Sequence, residues 1–89
     1  MKRLVVVYRS PRVENMYLFV DRQEGTARVP EELLTRFGEP EEALSLELTP
    51  ERTLARVQGS TVLEAIELSG YYLQLPPAPD EWVKQNDSA

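Results

Sequence analysis

The chain has 89 residues, of which 42% are hydrophobic and 28% are charged, and its formal net charge at pH 7 is −5. A chain of this length forms one domain with a small core, and we predict a single domain over residues 1–85 followed by a disordered tail over residues 86–89. Cysteine and histidine are absent. Their absence excludes disulfides, zinc sites built on Cys and His, and catalysis that needs an imidazole base, so no cofactor is predicted.

The apolar runs and the N-terminal residues predict a protein of the cytoplasm. No apolar run approaches the roughly 18 residues that span a bilayer, and the first residues lack the pattern of a signal peptide.

Residues 1–28 hold six basic and three acidic residues, whereas residues 29–51 hold seven glutamates and one arginine. An acidic total disfavours nonspecific binding to nucleic acid, although a local basic patch is compatible with it.

The first two predicted elements are the strands of a β-hairpin. Residues 4–8 and 16–20 are short runs rich in valine and aromatic residues, which favour β-structure. Between them lie Ser10-Pro11 and Asn15, which are typical of a loop. Both runs are apolar on both faces, and this pattern predicts two central strands that are covered on each side.

A short helix and a third strand follow. Pro30 suits the first helical position, the two glutamates after it complement the positive end of the helix, and Gly38 suits the C-terminal cap. This spacing predicts a helix of about two turns between them. Residues 43–48 then alternate leucine with small or polar residues, which predicts a strand with one apolar face.

The last predicted helix and strand cover residues 61–69 and 71–75. Leu63 and Ile66 face inward on the helix, and Gly70 ends it. We expect the strand to pair with the N-terminal hairpin, and the prolines that follow it end the pairing because they lack an amide donor.

Together these elements predict an α+β fold in the order ββαβαβ, with a mixed four-stranded sheet, two short helices and a C-terminal helical turn. If both helices cover the same face of the sheet, another group has to cover the apolar second face. We expect the segment that carries Trp82 to fold back over that face. The alternative is a second copy of the chain, and we expect a monomer or a weak homodimer.

Two glutamate pairs, Glu31-Glu32 and Glu41-Glu42, are the carboxylates considered for acid–base catalysis. Such catalysis needs two carboxyl groups in one pocket with separated pKa values, whereas neighbouring side chains on a helix point in different directions. We therefore predict that the protein is not an enzyme, and a carboxylate-based hydrolase is the least favoured alternative.

A candidate interaction surface combines basic, aromatic and polar residues. It consists of Arg9, Arg12, Tyr72, Gln74 and Trp82. Arginines that hold phosphates and aromatic rings that stack bases characterise proteins that bind single-stranded nucleic acid. In a small sheet domain, however, aromatic side chains mostly pack in the core. We therefore expect a protein partner, with RNA or single-stranded nucleic acid as the alternative and no membrane partner.

Several short motifs occur in a recognisable order. They include Tyr8-Arg9-Ser10, the string RVPEELL at residues 28–34, and GYYLQLPP at residues 70–77, which is the most specific. In these motifs the chain resembles the YcgL-domain family of small bacterial proteins over residues 3–80. One departure is Gln58-Gly59, where the family usually has an aspartate before the helix. The resemblance implies a small α+β domain in a proteobacterial cytoplasm and supplies no activity, ligand or site residue.

Overall fold

A computed structural model describes residues 2–54 and 57–76 of the chain. They form β1 (Arg3–Arg9), β2 (Tyr17–Asp21), α1 (Glu31–Phe37), β3 (Glu41–Leu48), α2 (Gly59–Ser69) and β4 (Tyr71–Gln74). The α+β class and the order ββαβαβ are those predicted from the sequence. The C-terminal helical turn, the tail and Trp82 lie outside the described residues. Among the described helices, none is long and apolar enough to cross a membrane.

The four strands form one sheet in the order β3-β1-β2-β4, and every neighbouring pair is antiparallel. The prediction of a mixed sheet was therefore wrong. Both β2 and β3 run antiparallel to β1, so they are parallel to each other, but β1 lies between them. The pairing of β4 with β2 confirms the prediction that the last strand joins the hairpin.

The hairpin strands β1 and β2 occupy the centre of the sheet, as their apolar pattern predicts. Alternate side chains of a strand point to opposite faces. On one face, Val5, Val7 and Phe19 are buried in one core cluster. On the other, β1 and β2 contribute buried side chains such as Val6 and Leu18 to a second cluster. The domain therefore has a core on each side of its sheet.

Each helix covers a different face of the sheet. Val62, Leu63 and Ile66 of α2 are buried in the first cluster, and Phe37 of α1 is fully buried in the second. We call these sides the α2 face and the α1 face. The premise that both helices share one face was therefore wrong. The expected return of Trp82 over the sheet lies outside the described residues. Burying both apolar faces of the hairpin takes one helix on each side.

The start of α2 is fixed by a backbone turn. Gln58 occupies the cap position but makes no side-chain hydrogen bond there. Instead, the amide of Gly59 donates to the carbonyl of Arg52 at 2.7 Å, and that of Ser60 donates to Pro50 at 3.2 Å. A Cβ at position 59 would collide with the backbone carbonyl oxygen of Thr49. Only glycine allows this close contact.

Glycine also ends α2, at the place predicted from the sequence. Gly70 adopts the left-handed conformation with φ of 92°, and its amide donates to the Ile66 carbonyl at 2.8 Å. Such a conformation is strained for residues with a side chain. The chain then turns directly into β4, which places the last strand beside β2.

The burial of α2 gives a first testable prediction. Replacing Ile66, which is fully buried, by alanine should lower the free energy of unfolding by about 2–4 kcal/mol because it leaves a cavity in the core. Leu68→Ala is the matched control, since Leu68 is 73% exposed on the same helix and its change should stay within about 0.5 kcal/mol. Urea unfolding measures both. Equal losses in the two variants would contradict the packing of α2.

Candidate interaction surface

Helix α2 leaves part of its own face of the sheet uncovered. A groove of about 390 Å³ remains open there. Its lining, which we call the open groove, consists of Val7, Tyr17, Phe19, Ala43, Leu44, Leu46, Arg52, Leu54 and Gln74. Most of these side chains are apolar, and several belong to or pack against the core cluster under α2. The open groove is therefore an accessible continuation of the core.

Strand register places the floor of the groove. Val7 pairs with Phe19 on one side and with Leu44 on the other, so three strands contribute one apolar row. Leu44 is 51% exposed, because it lies on the edge strand. The next row combines polar groups, since Arg9 pairs with Tyr17 and Tyr17 pairs with Gln74.

The segment between β3 and α2 supplies one wall of the groove. Thr53 forms an isolated antiparallel bridge with Gln58, and the amide of Leu54 donates to the carbonyl of Val57 at 2.8 Å. These bonds hold the half-buried Leu54 against the core cluster. Arg52 is exposed at the rim. No pattern in the sequence predicted this wall.

Two of the predicted surface residues, Tyr72 and Gln74, lie on the α2 face. The ring of Tyr72 meets that of Phe19 edge to face, with centroids 5.8 Å apart and an interplanar angle of 72°. Tyr72 is half-buried and packs against the core cluster, so packing accounts for most of this ring. Gln74 lines the open groove and adds a polar group to it.

The two predicted arginines do not come together. Arg9 lies in the polar row of the α2 face, and its Nε donates to a carboxylate oxygen of Glu41 at 3.3 Å. Arg12 instead lines a separate depression of about 430 Å³ beside α1, which also includes Gly38. Because Arg9 and Tyr72 lie on the α2 face and Arg12 lies beside α1, these residues do not form one continuous basic and aromatic surface.

The loop that carries Arg12 is fixed to the end of α1 by a buried serine. The hydroxyl of Ser10 donates to the carbonyl of Phe37 and accepts the amides of Arg12 at 3.1 Å and Val13 at 2.9 Å. Ser10 was read from the sequence only as a turn former. Its three bonds explain why the first loop lies on the α1 side and carries Arg12 away from the open groove.

The glutamate pairs stay on the surface. Glu31 and Glu32 are exposed in the first turn of α1, and Glu41 and Glu42 are exposed at the start of β3. Among the described residues, no group of three or more acidic side chains is placed to hold a metal ion. What the structure brings together is an apolar groove with a polar rim.

Comparison with known proteins identifies relatives of the whole domain. A family model described as the YcgL domain matches residues 5–77. The chain is 51% identical over 84 residues to YcgL domain-containing proteins of Pseudomonas aeruginosa and Pseudomonas putida, which covers 94% of this chain and 87% of each relative. It is 54% identical over 77 residues to one from Cellvibrio japonicus, covering 86% of this chain and 79% of the relative. Their names state a domain and no activity, ligand or partner.

The role of Ser10 gives a second prediction. Ser10→Ala should lower the free energy of unfolding by about 1–3 kcal/mol, because it leaves the Phe37 carbonyl and two amides without their buried partner. Ser69→Ala, at an exposed position, should change it by less than about 0.5 kcal/mol. Thermal and urea unfolding measure both. An Ser10→Ala variant as stable as Ser69→Ala would show that these bonds do not hold the loop.

Proposed function

We propose that this chain, which belongs to the YcgL domain family, is a non-enzymatic module that binds a protein partner through the open groove. The observation that carries the proposal is the uncovered part of the α2 face. There the core cluster of the sheet continues into a groove whose floor includes Val7, Phe19 and the half-exposed Leu44.

Binding of apolar side chains in this groove is energetically favourable. Burying a leucine side chain completely contributes about 1.5–3 kcal/mol, and Leu44 is half exposed in the free chain. Covering it therefore supplies about 1 kcal/mol from this side chain alone. The other apolar lining residues add to that, and the polar rim fixes orientation, as in other interfaces with an apolar centre and a polar edge.

The charges near the groove favour a protein segment over a nucleic acid. Arg9 is paired with Glu41, and Glu42 is exposed on the same edge strand. A phosphate backbone needs several free cations, whereas Arg9 is paired with a carboxylate, Arg12 lies beside α1, and the groove lining holds one cation, Arg52. The apolar lining of the open groove instead matches the apolar side chains of a protein segment.

The groove proposal predicts a position-specific loss of binding. Leu44→Ser removes an apolar side chain from the groove floor and should weaken partner capture by about fivefold, equivalent to the roughly 1 kcal/mol that covering Leu44 supplies. Leu68→Ser removes an equally large side chain from the exposed side of α2, outside the groove lining, and should leave capture unchanged. The measurement is quantitative affinity enrichment from nuclease-treated lysate, followed by titration of the purified captured protein against all three forms.

Two outcomes would contradict this proposal. One is equal loss, or no loss, in the Leu44→Ser and Leu68→Ser variants, because the groove would then have no special role. The other is enrichment that disappears after nuclease treatment, which would favour the nucleic-acid alternative. Circular dichroism of both variants must first show the wild-type spectrum, so that a lost interaction is not a lost fold.

The non-enzymatic part of the proposal has its own test. With neither histidine nor cysteine and with its glutamate pairs exposed, the purified chain should not turn over ester, phosphoester or glycoside substrates above the buffer rate. The measurement uses chromogenic substrates of the three classes across a pH series. A rate that survives repurification and is lost in a single Glu→Gln variant would establish an enzyme instead.

A further inference from the structure

We infer that the partner binds as an extended segment added to the outer edge of β3, with apolar side chains on the α2 face and lysine or arginine on the α1 face. This inference rests on the proposed function and specifies how the partner is held and what its sequence looks like. It uses the strand that borders the open groove through Ala43, Leu44 and Leu46.

The two edges of the sheet differ in how open they are. Strand β4 has four half-buried residues, and a proline follows it closely. Strand β3 has eight residues, most of them exposed, and within residues 2–54 and 57–76 its outer side pairs with no other strand. An unpaired strand edge is a template for another chain. The edge available for such an addition is therefore β3.

Hydrogen-bond alternation shows which groups of β3 point outward. The Leu4 carbonyl accepts the Arg22 amide at 2.9 Å, and the Ser10 amide donates to the Met16 carbonyl at 3.0 Å. Even-numbered residues of β1 thus bond to β2, and odd-numbered residues bond to β3, because the two sides alternate in an antiparallel ladder.

The odd-numbered residues Val5 and Val7 pair with Leu46 and Leu44. The residue between the two leucines, Ser45, therefore directs its backbone amide and carbonyl away from β1. Glu47, two residues further along, does the same. Within the part of the chain that the structure describes, these outward groups bond to no other residue, so they are available for a new ladder.

The side chains of β3 set the chemistry of the added segment. Leu44 and Leu46 lie on the α2 face, where they line the groove. Glu42, Ser45 and Glu47 pair with residues on the α1 face of β1, and both glutamates are exposed. Opposed residues of neighbouring strands interact directly. A matching segment therefore alternates apolar residues with basic ones.

The inner side of β3 already shows this charge pattern. On the α1 face, Lys2, the residue before β1, lies within 3.8 Å of a Glu47 oxygen. The Arg9–Glu41 pair, at 3.3 Å, lies on the α2 face instead. Glu42 forms no ion pair with the described residues. An added basic residue beside Glu42 would repeat on the outer edge the pairing that β1 makes on the inner edge.

The same charges disfavour a second copy of the chain as the occupant. Because Ser45 carries the outward groups, a symmetric antiparallel pairing of two β3 strands is centred on Ser45. The extra residue of β3 opposite the Val7–Tyr8 step then sets Glu42 of one copy opposite Glu47 of the other. A parallel pairing in register would set identical glutamates side by side. Like charges in opposed positions destabilise a strand pair. The edge is thus better matched to a basic partner segment than to itself.

The test uses a synthetic ten-residue peptide in which valine and lysine alternate, and a matched peptide in which valine and glutamate alternate. Each is titrated into the isotopically labelled full chain, and amide chemical shifts are followed by NMR. The lysine peptide should shift amides of residues 41–48 and of the groove lining, and it should bind at least about tenfold more tightly than the glutamate peptide. Added salt should reduce that ratio, since exposed charges are screened.

Two pairs of variants separate edge binding from groove binding. Ser45→Pro removes the outward amide and should abolish binding of the lysine peptide, whereas Ser45→Thr keeps the amide and should retain it. Because proline is tolerated where an edge amide faces solvent, Ser45→Pro should unfold near the wild-type midpoint. Glu42→Lys keeps the backbone intact and should weaken the lysine peptide while strengthening the glutamate peptide; Glu67→Lys, on the exposed side of α2, should do neither.

Distinct results overturn the inference. Groove shifts that persist in Ser45→Pro would leave the proposed groove function standing and remove the added strand. An absence of shifts with both peptides, or equal affinity for both, would reject the stated partner chemistry. Concentration-dependent dimerisation of the wild type that is lost in Ser45→Pro, measured by sedimentation, would assign the edge to a second copy instead.

Discussion

The structure depends on one constraint, which is that the central hairpin is apolar on both faces. Val5 and Val7 alternate with Val6 along β1, and Phe19 lies between Leu18 and Val20 on β2. Both sets are buried, in clusters on opposite sides of the sheet. A sheet of this kind is stable only if each face is covered. The two helical connections cover the faces, because α1, between β2 and β3, lies on one side and α2, between β3 and β4, lies on the other. A short chain thus forms two small cores on one sheet.

The way in which this cover is achieved also determines the exposed surfaces. Helix α2 has eleven residues and is anchored at one end by the turn around Thr49 and at the other by Gly70. It covers the core cluster, but it leaves Leu44 and the half-buried Leu46 uncovered. It also leaves uncovered the row of polar groups formed by Arg9, Tyr17 and Gln74. The remaining apolar area lies next to β3, the longer of the two edge strands. An apolar groove and an open strand edge therefore adjoin, and this arrangement supports a binding role for a YcgL domain.

The sequence predicted local features better than the relations between elements. The central position of the hairpin, the glycine after each helix and the inward side of α2 were all readable, because each follows from the pattern of a few adjacent residues. The sheet was expected to be mixed and both helices were expected on one face. Neither property is local: the apolar side of α1 is clear from its sequence, but which face of the sheet receives it depends on the path of the connection. For the same reason, the separation of Arg9 from Arg12 depends on the buried bonds of Ser10, which no pattern of charges reveals.

The central claim is that β3 is an open edge beside an uncovered groove in the free protein. Amide hydrogen exchange of the full chain, resolved residue by residue, tests it most directly. Leu44 and Leu46 lie opposite odd-numbered residues of β1 and should exchange slowly, whereas Ser45 and Glu47, whose amides point outward, should exchange faster by at least about a hundredfold. Equally slow exchange at all four positions would show that another part of the protein already covers the edge, and it would contradict the account.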